Sequence, residues 1–261
     1  MQPSIGSWYL HGALRTGARW MWLILIVLAA CAHPKPGLPS ARIQILHISG
    51  SSEMEVQVEQ FQQNLRTTQP VTEVRYTPTN TATGLKLLKV GQADIALASW
   101  LPQGAPTGYA SKKVGHDAVV FIIHPAAGII NLTEQQIEDI FSGRYISWRS
   151  LGGNDIPIRL VVRERGSGTQ TMIESRLMRG KSVALTAQVM PSAPDVVDYV
   201  RTHEGAIGYV SFSLLGREVQ PIAINGILPT TTNIRTDVYP LTRDVFAVFP
   251  SRMKPFISNW P

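Results

Sequence analysis

The chain has 261 residues, enough for one large domain or for two lobes of roughly 100 residues, each with its own hydrophobic core. Hydrophobic residues make up 44% of the sequence and charged residues 16%, and this balance excludes a disordered or fibrous protein. The formal net charge is +6, but the basic residues form no block and do not alternate with aromatic residues, so we expect no nucleic acid partner.

The first 30 residues are typical of an export signal. They contain no acidic residue, carry Arg15 and Arg19, and run into an apolar stretch from Trp20 to Ala30. About 11 apolar residues are too few to span a bilayer comfortably but suit the hydrophobic region of a signal peptide. We therefore predict a signal peptide over residues 1–30 and a location outside the cytoplasm.

The sole cysteine, Cys31, ends the sequence Leu28–Cys31, which resembles the bacterial lipobox. With no second cysteine an intramolecular disulfide is excluded, so we predict that Cys31 carries a lipid that anchors the protein to the cell membrane. A cysteine within a simple transmembrane anchor is the alternative. Residues 31–40 contain three prolines and a glycine and are predicted to form an extended tether, with the folded body beginning near Ala41.

Strands and helices alternate along the folded body, which predicts an α/β sheet. The predicted strands are Ile43–Ile48, Val71–Tyr76, Asp94–Ser99, Asp117–His124, Arg159–Val162, Ala206–Ser211, Val219–Ile224 and Val245–Phe249. The predicted helices are one with Met54, Val58, Phe61 and Leu65 on a single face, then Gly84–Val90, Thr133–Phe141, Thr169–Met178 and Asp195–Thr202.

Three regions at or just before predicted helix starts are rich in small hydroxyl and glycine residues: Gly50–Glu55, Thr79–Gly84 and Arg163–Thr169. The first turn of a helix has unpaired backbone N–H groups at a positive dipole end, so each start is a potential anion site. For the first start an ordinary helix cap is the alternative, because Ser52 and Glu55 have the spacing of a capping box.

The third start carries the most specific chemistry. Gly166 and Gly168 allow the backbone to approach a ligand. Ser167 and Thr169 add hydroxyl donors, and Arg163 offers a charged fork. A surface turn with solvated arginines is the alternative. If the three starts converge, about six to eight hydrogen bonds worth roughly 1–1.5 kcal/mol each would hold an anion with micromolar or tighter affinity.

The chain resembles the phosphate-binding proteins of bacterial phosphate ABC transporters over most of residues 43–249. The segments that carry the resemblance are Asn131–Thr133, Asp139–Gly143, Ser147–Trp148, Leu151–Gly153, Ile156–Ile158, Val161–Arg163 and Gly166–Thr169, together with Gly84–Lys86, Asp94–Ser99 and Gly205–Tyr209. The resemblance implies a two-lobed periplasmic binding protein fold of the α/β class, with a mixed central sheet in each lobe and two hinge crossovers.

The resemblance also implies a set of ligand-binding residues from both lobes. They are Ser52, or Ser51 if the alignment slips by one, with Thr81, Ser99, Arg163, Ser167, Gly168 and Thr169. Two positions depart from the family. Trp100 stands where a selective phosphate binder has an aspartate that accepts the proton of hydrogen phosphate. Arg165 stands where relatives often carry an acidic partner for the binding arginine. An extra positive charge at the site is one consequence, and a side chain that points into solvent is the alternative.

We expect lobe one to comprise residues 41–122 and 219–261, and lobe two residues 123–218. The crossovers are expected near Val119–His124 and Gly208–Ile222. The predicted function is capture of inorganic phosphate, or another tetrahedral oxyanion, by a monomer that delivers it to a membrane ABC permease. A membrane-tethered oxyanion sensor is the alternative. Ser167 lies outside a Gly-x-Ser-x-Gly motif and the six histidines lack metal-ligand spacing, so we expect no catalysis, no metal and no cofactor.

Overall fold

The structure is a computed structural model that describes residues 44–70, 72–257 and 260. The predicted signal peptide, the tether and Cys31 therefore lie outside the described residues. Within them, no helix is both long enough and apolar enough to cross a membrane.

Eleven strands and seven α-helices are described, with short 3-10 turns between several of them. The strands are β1 (Gln44–Ser51), β2 (Thr72–Thr79), β3 (Ile95–Ala98), β4 (Tyr109–Ile123), β5 (Asn131–Leu132), β6 (Arg159–Arg163), β7 (Gln188–Met190), β8 (Ala206–Ser211), β9 (Gln220–Pro221), β10 (Ala223–Ile224) and β11 (Thr242–Pro250). The helices are α1 (Glu55–Thr68), α2 (Thr81–Lys89), α3 (Glu134–Phe141), α4 (Gly168–Arg176), α5 (Ala193–Thr202), α6 (Thr231–Arg235) and α7 (Lys254–Ile257).

The predicted elements are confirmed where local sequence determines them. The four apolar residues placed on one helix face are all buried, three of them in α1 and Met54 in the turn before it. At α3 the predicted capping box forms, since the backbone N–H of Gln136 donates to Thr133 Oγ1 and that of Thr133 donates to Gln136 Oε1. The predicted strand over 117–124 is longer than expected, because β4 begins at Tyr109.

Eight strands form one continuous sheet in the order β2-β1-β3-β11-β4-β8-β6-β7, and β9 pairs with β4 outside that path. Pairs among β1, β2 and β3 and among β6, β7 and β8 are parallel, whereas β4 and β11 run antiparallel to their neighbours. β5 and β10 form a separate parallel pair. The sheet is therefore mixed, with its antiparallel strands at the centre.

Strand β4 belongs to two halves of the sheet. Its residues up to Ala118 pair with β11, and from Val119 onward they pair with β8. We call β2, β1, β3, β11 and the first part of β4 the first half-sheet, and the rest of β4 with β8, β6 and β7 the second half-sheet. The backbone N–H of Val119 donates to Leu241 O at 2.9 Å, directly before β11 begins. The two points at which the chain changes half-sheet therefore lie side by side.

Each half-sheet is buried on both faces. In β4 the side chains of Val119, Phe121 and Ile123 enter one buried cluster, while Val120 and Ile122 enter another. The first half-sheet shows the same alternation in β3, whose residues divide between two further clusters. Because successive strand residues point to opposite faces, this burial explains why these strands read as continuous apolar runs.

Residues 219–241 pack with the second half-sheet, although lobe one was expected to resume at residue 219. Ile222, Ile224 and Ile234 pack in the same cluster as Phe121 of the second half-sheet, and the chain rejoins the first half-sheet only at Thr242. The second crossover is therefore at 241–242 and not within 208–222. Residues 219–241 contain too little regular structure for their sequence to indicate which half they pack against.

Candidate ligand-binding site

The first predicted helix start differs from its expected form. Ser52 lies inside a 3-10 turn over Ser52–Met54, and neither this turn nor α1 has a side-chain cap. The predicted capping box between Ser52 and Glu55 is therefore wrong, because the extra turn makes Glu55 the first residue of the α-helix. Ser51 is buried at the end of β1, and Ser52 Oγ is buried without a hydrogen-bond partner among the described residues.

The second start brings two predicted site residues into contact. Thr81 is the first residue of α2, which Asn80 caps by accepting from the backbone N–H of Thr83 at 2.8 Å. The backbone N–H of Ser99 donates to Thr81 Oγ1 at 3.2 Å, and the two hydroxyls are 3.4 Å apart. Both side chains are buried, so the end of β3 and the start of α2 form one polar surface.

A glycine contact places α2 against β1. A Cβ on Gly84 would lie 2.6 Å from Gly50 Cα and 2.9 Å from Ser49 O, which is closer than side-chain atoms approach backbone. Only glycine at 84 therefore allows the helix this near the strand. The resulting position of α2 sets the distance between the first two loops of the site.

The third start meets the second across the two half-sheets. Ser167 caps α4 by accepting from the backbone N–H of Gln170 at 3.3 Å, and Gly168 is the first helical residue. A Cβ on Gly168 would lie 2.4 Å from Ser99 Oγ and 2.7 Å from Thr81 Oγ1. The backbone of Gly168 is thus packed directly onto the hydroxyl pair, which brings predicted residues from both halves together.

Arg163, at the end of β6, is buried and held by two carboxylates. Its Nε and Nη2 donate to Glu164 at 2.9 and 3.2 Å, and its Nη1 lies 3.6 Å from Glu53 Oε1. Glu164 therefore supplies the acidic partner that the resemblance led us to expect at position 165. Arg165 itself is exposed, in agreement with the alternative that its side chain points into solvent.

The sequence did not indicate three charged residues that lie at the candidate site. Arg243 donates from Nη2 to Glu53 Oε2 at 3.1 Å and to Asp117 Oδ2 at 2.9 Å, and from Nη1 to Thr169 Oγ1 at 2.8 Å. Thr169 in turn donates a short hydrogen bond to Glu53 Oε2. Glu53, Asp117 and Arg243 are all buried. Glu53 directly follows Ser51 and Ser52, which were predicted site residues. Its hydrogen-bond partners Arg243 and Thr169 are distant from it in sequence.

The environment of Glu53 favours its ionised form. Burial acts to raise the pKa of this carboxyl, but the guanidinium groups of Arg243 and Arg163 and the hydrogen bonds from Thr169 and Arg243 outweigh it and hold the pKa below its usual range. Arg243 stays protonated, because the two carboxylates overcome the opposing effect of its burial and raise its pKa. Glu53 and Arg243 are therefore both charged at neutral pH.

The charges of the four fully buried members cancel. Arg163 and Arg243 contribute two positive charges, and Glu53 and Asp117 contribute two negative charges. An anion at this place would thus be held chiefly by hydroxyls, backbone N–H groups and the arginine fork, and not by an excess of positive charge.

Trp100, which follows Ser99, packs against the main cluster of the second half-sheet. Its Nε1 is buried and has no hydrogen-bond partner among the described residues. Indole nitrogen only donates, so Trp100 offers no acceptor to a ligand. The described residues also contain no group of three or more metal-binding side chains.

Comparisons with known proteins agree with this geometry. A family model described as the PBP superfamily domain matches residues 36–260. A phosphate-binding protein PstS of Bacillus subtilis is 28% identical over 209 residues, which cover 75% of this chain and 67% of the relative. The range matched by the family model includes all the predicted ligand-binding residues.

Two solved structures match the fold. One from Clostridium perfringens, described as a phosphate ABC transporter substrate-binding protein with bound phosphate, has 27% identity and a TM-score of 0.78 over 83% of this chain and 92% of that chain. An ABC-type phosphate transport receptor from Vibrio cholerae has 29% identity and a TM-score of 0.67 over 82% and 93% of the two chains. The predicted fold class is thereby confirmed.

Proposed function

Because this chain belongs to the PBP superfamily, we propose that it is the substrate-binding component of an ABC transporter and captures inorganic phosphate, or a similar oxyanion, in an interlobe cleft. The observation that carries the proposal is the contact of Gly168 with Thr81 and Ser99. Two of the segments that were singled out as anion sites meet at this point, the first segment reaches Thr169 through Glu53, and the comparisons with phosphate-binding relatives point the same way.

We assign ligand binding to the predicted residues of the three helix starts and to Ser99. They are Ser51, Ser52, Thr81, Ser99, Arg163, Ser167, Gly168 and Thr169. The hydroxyls and the first backbone N–H groups of α2 and α4 donate hydrogen bonds to the oxyanion, and Arg163 supplies a charged donor, its Nη1, which Glu164 does not occupy. The two half-sheets act as lobes, with residues 44–118 and 242–260 in one lobe and 119–241 in the other.

Closure of the lobes follows from the adjacent crossovers. Rotation about the paired backbone near Val119 and Leu241 separates the lobes without breaking either core, since each half-sheet has its own buried clusters. The closed form with its ligand is the state that the permease recognises. The ligand-bound protein acts as a monomer that binds and delivers the anion.

Attachment to the membrane is a separate part of the proposal. A lipid on Cys31 holds the folded body at the outer side of the cell membrane, with residues 31–40 as the tether. Labelling cells with a radioactive fatty acid should mark the wild-type chain and leave Cys31→Ala unlabelled. Equal labelling of both chains would exclude lipidation at this residue.

Calorimetric titration of the purified protein with phosphate, sulfate and molybdate tests the central proposal. We expect phosphate to bind with a dissociation constant in the micromolar range or tighter. If none of the three anions binds, the transport proposal is wrong. A tethered sensor with this site would also bind phosphate, so uptake of phosphate by cells lacking the gene separates the two functions: unchanged uptake favours the sensor.

A further inference from the structure

His116 joins the two half-sheets beside the points where the chain crosses between them. It lies in β4, shortly before the change of partner strand at Val119, and it is paired with Asp244 of β11. Its ring Nδ1 lies 2.8 Å from Asp244 Oδ1, within the first half-sheet. Its Nε2 lies 3.1 Å from Ile234 O and 3.3 Å from Asp237 Oδ1, and both of these residues precede the second crossover. The imidazole therefore bridges the two proposed lobes.

Charged groups from three parts of the chain share one cavity with this ring. They are Lys113 of β4, Arg243 and Asp244 of β11, and Arg235 and Asp237 of the segment before the second crossover. Lys113 Nζ lies 2.6 Å from Asp244 Oδ1, so it shares that carboxylate with the ring. The Arg243 side chain leaves β11 on the opposite face, where it binds Asp117. Histidine is the only one of these residue types that ordinarily changes charge between about pH 5 and pH 8.

Protonation of His116 decides whether both of its contacts can form. Both ring nitrogens face acceptor oxygens, and only imidazolium donates from both. Either neutral tautomer directs a nitrogen lone pair at an oxygen. Strand pairing fixes the position of Asp244, whereas Ile234 and Asp237 belong to the other proposed lobe. Movement that relieves the neutral ring is therefore movement of one lobe relative to the other.

The same contacts couple the proton to the arrangement of the lobes. The hydrogen bond to Asp244 is the largest cause that raises the pKa of His116, and Ile234 and Asp237 add to it. Opening of the lobes removes the last two contributions and keeps the first. His116 thus binds its proton more tightly when the lobes are closed, and by linkage its protonation favours closure.

We propose that His116 is a pH-sensitive tie between the lobes that favours their closed arrangement and strengthens ligand binding at acidic pH. The inference rests on the proposed function, because it assigns regulation to the same interlobe site. The arrangement described is the closed one, since the backbone N–H of Ala82 donates to Gly166 O across the two halves at 3.1 Å. The tie is complete below the pKa that His116 has in the open arrangement, and it is lost as pH rises through the higher pKa of the closed one.

The test is calorimetric titration of the full chain, purified in detergent, with inorganic phosphate at about pH 5.5 and about pH 8.5, on either side of the histidine range. The measured quantity is the dissociation constant at the higher pH divided by that at the lower pH. Phosphate itself changes charge between these values, but this contribution cancels when wild type is compared with His116→Gln. We expect the wild-type ratio to exceed that of the variant at least about threefold, because glutamine does not titrate.

His47→Gln is the matched control, because His47 is an exposed residue of β1 and the same substitution is made. It should retain the wild-type ratio. Asp237→Asn tests the contact from the other side, and it decides the matter if His116→Gln does not fold. Asp237 has φ 55°, a conformation that asparagine also adopts, and its replacement should lower the ratio about twofold.

Equal ratios in wild type and folded His116→Gln overturn the inference and leave the proposed function standing. If phosphate binds at neither pH, the proposed function is wrong, and hydrogen exchange at the Ala82 amide of the ligand-free protein decides the inference. At about pH 5.5 this amide should exchange faster in His116→Gln than in wild type, since the variant spends more time open. Equal exchange in the two proteins overturns the inference.

Discussion

Arg163 connects the predicted ligand site to the buried charged network. Its fork is bound on one side by Glu164, and its remaining nitrogen faces Glu53. Burial of a guanidinium requires such partners, because an unpaired charge inside a protein is costly. The arrangement presents one pre-positioned donor at the place where α4 begins.

Replacing Arg163 by alanine should abolish measurable phosphate binding, because it removes the charged donor that the site presents to the ligand. Calorimetry on the folded variant, verified by its thermal transition, measures this. Arg165→Ala is the control: Arg165 is two residues away and exposed, so its removal should change affinity less than about twofold. Unchanged affinity in Arg163→Ala would refute the site assignment.

His116 gives the protein a predicted pH dependence of stability. Its Nδ1 lies 2.8 Å from Asp244 Oδ1 and its Nε2 lies 3.1 Å from Ile234 O, so both nitrogens face acceptors. Only imidazolium donates from both. The hydrogen bond to Asp244, with smaller contributions from Ile234 and Asp237, raises the pKa of His116 despite partial burial. Lys113, Arg235 and Arg243 line the same pocket.

A raised folded-state pKa means that His116 stabilises the protein fully below its unfolded pKa of about 6.5, and that this contribution is lost as pH rises through the folded value. His116→Gln should therefore lower the free energy of unfolding at acidic pH and flatten its decline across that window. Chemical denaturation at a series of pH values measures the effect, with the exposed His47→Gln as control. A variant with the wild-type pH profile would contradict this account.

At the scale of elements, local patterns predicted most strands and helices correctly. Apolar residues at helical spacing gave α1, and the Thr133–Gln136 pair gave the start of α3. The sequence could not predict the pairing of Glu53 with Arg243, because 190 residues separate them. Nor could it predict that β11 inserts between β3 and β4, since such pairing depends on contacts distant along the chain.

The close packing at the start of α4 predicts an effect of a single added methyl group on ligand binding. Gly168→Ala would place a Cβ 2.4 Å from Ser99 Oγ, well inside van der Waals contact, so it should hold the two helix starts apart and weaken phosphate binding by at least about tenfold. Because the Cβ would also lie 2.9 Å from the backbone nitrogen of Trp100, the thermal transition should fall as well, and phosphate binding is compared at a temperature where the variant is folded.

Gly216→Ala is the matched control, since a Cβ there would have only the backbone nitrogen of Glu218 at 4.0 Å. Calorimetric titration of both variants with phosphate makes the comparison. Equal affinities would show that the contact between Gly168 and the hydroxyl pair does not contribute to the ligand site.

At the scale of the whole molecule, two separately buried half-sheets joined at adjacent crossovers place the site where both meet. The sequence predicted the two-lobed fold class through its resemblance to phosphate-binding proteins, and the structural matches confirm it. The lobe boundary stays a prediction, and in the structure residues 219–241 pack with the second half-sheet. The short strands and loops of residues 219–241 carry no periodic pattern that indicates which half-sheet they pack against.

A crystal structure of the protein grown with phosphate tests the central claim most directly. The account predicts one tetrahedral anion that contacts Thr81 and Ser99 from one half and Arg163 and Gly168 from the other. An anion bound to residues of a single half, or an interlobe region without phosphate at saturating concentration, would contradict it.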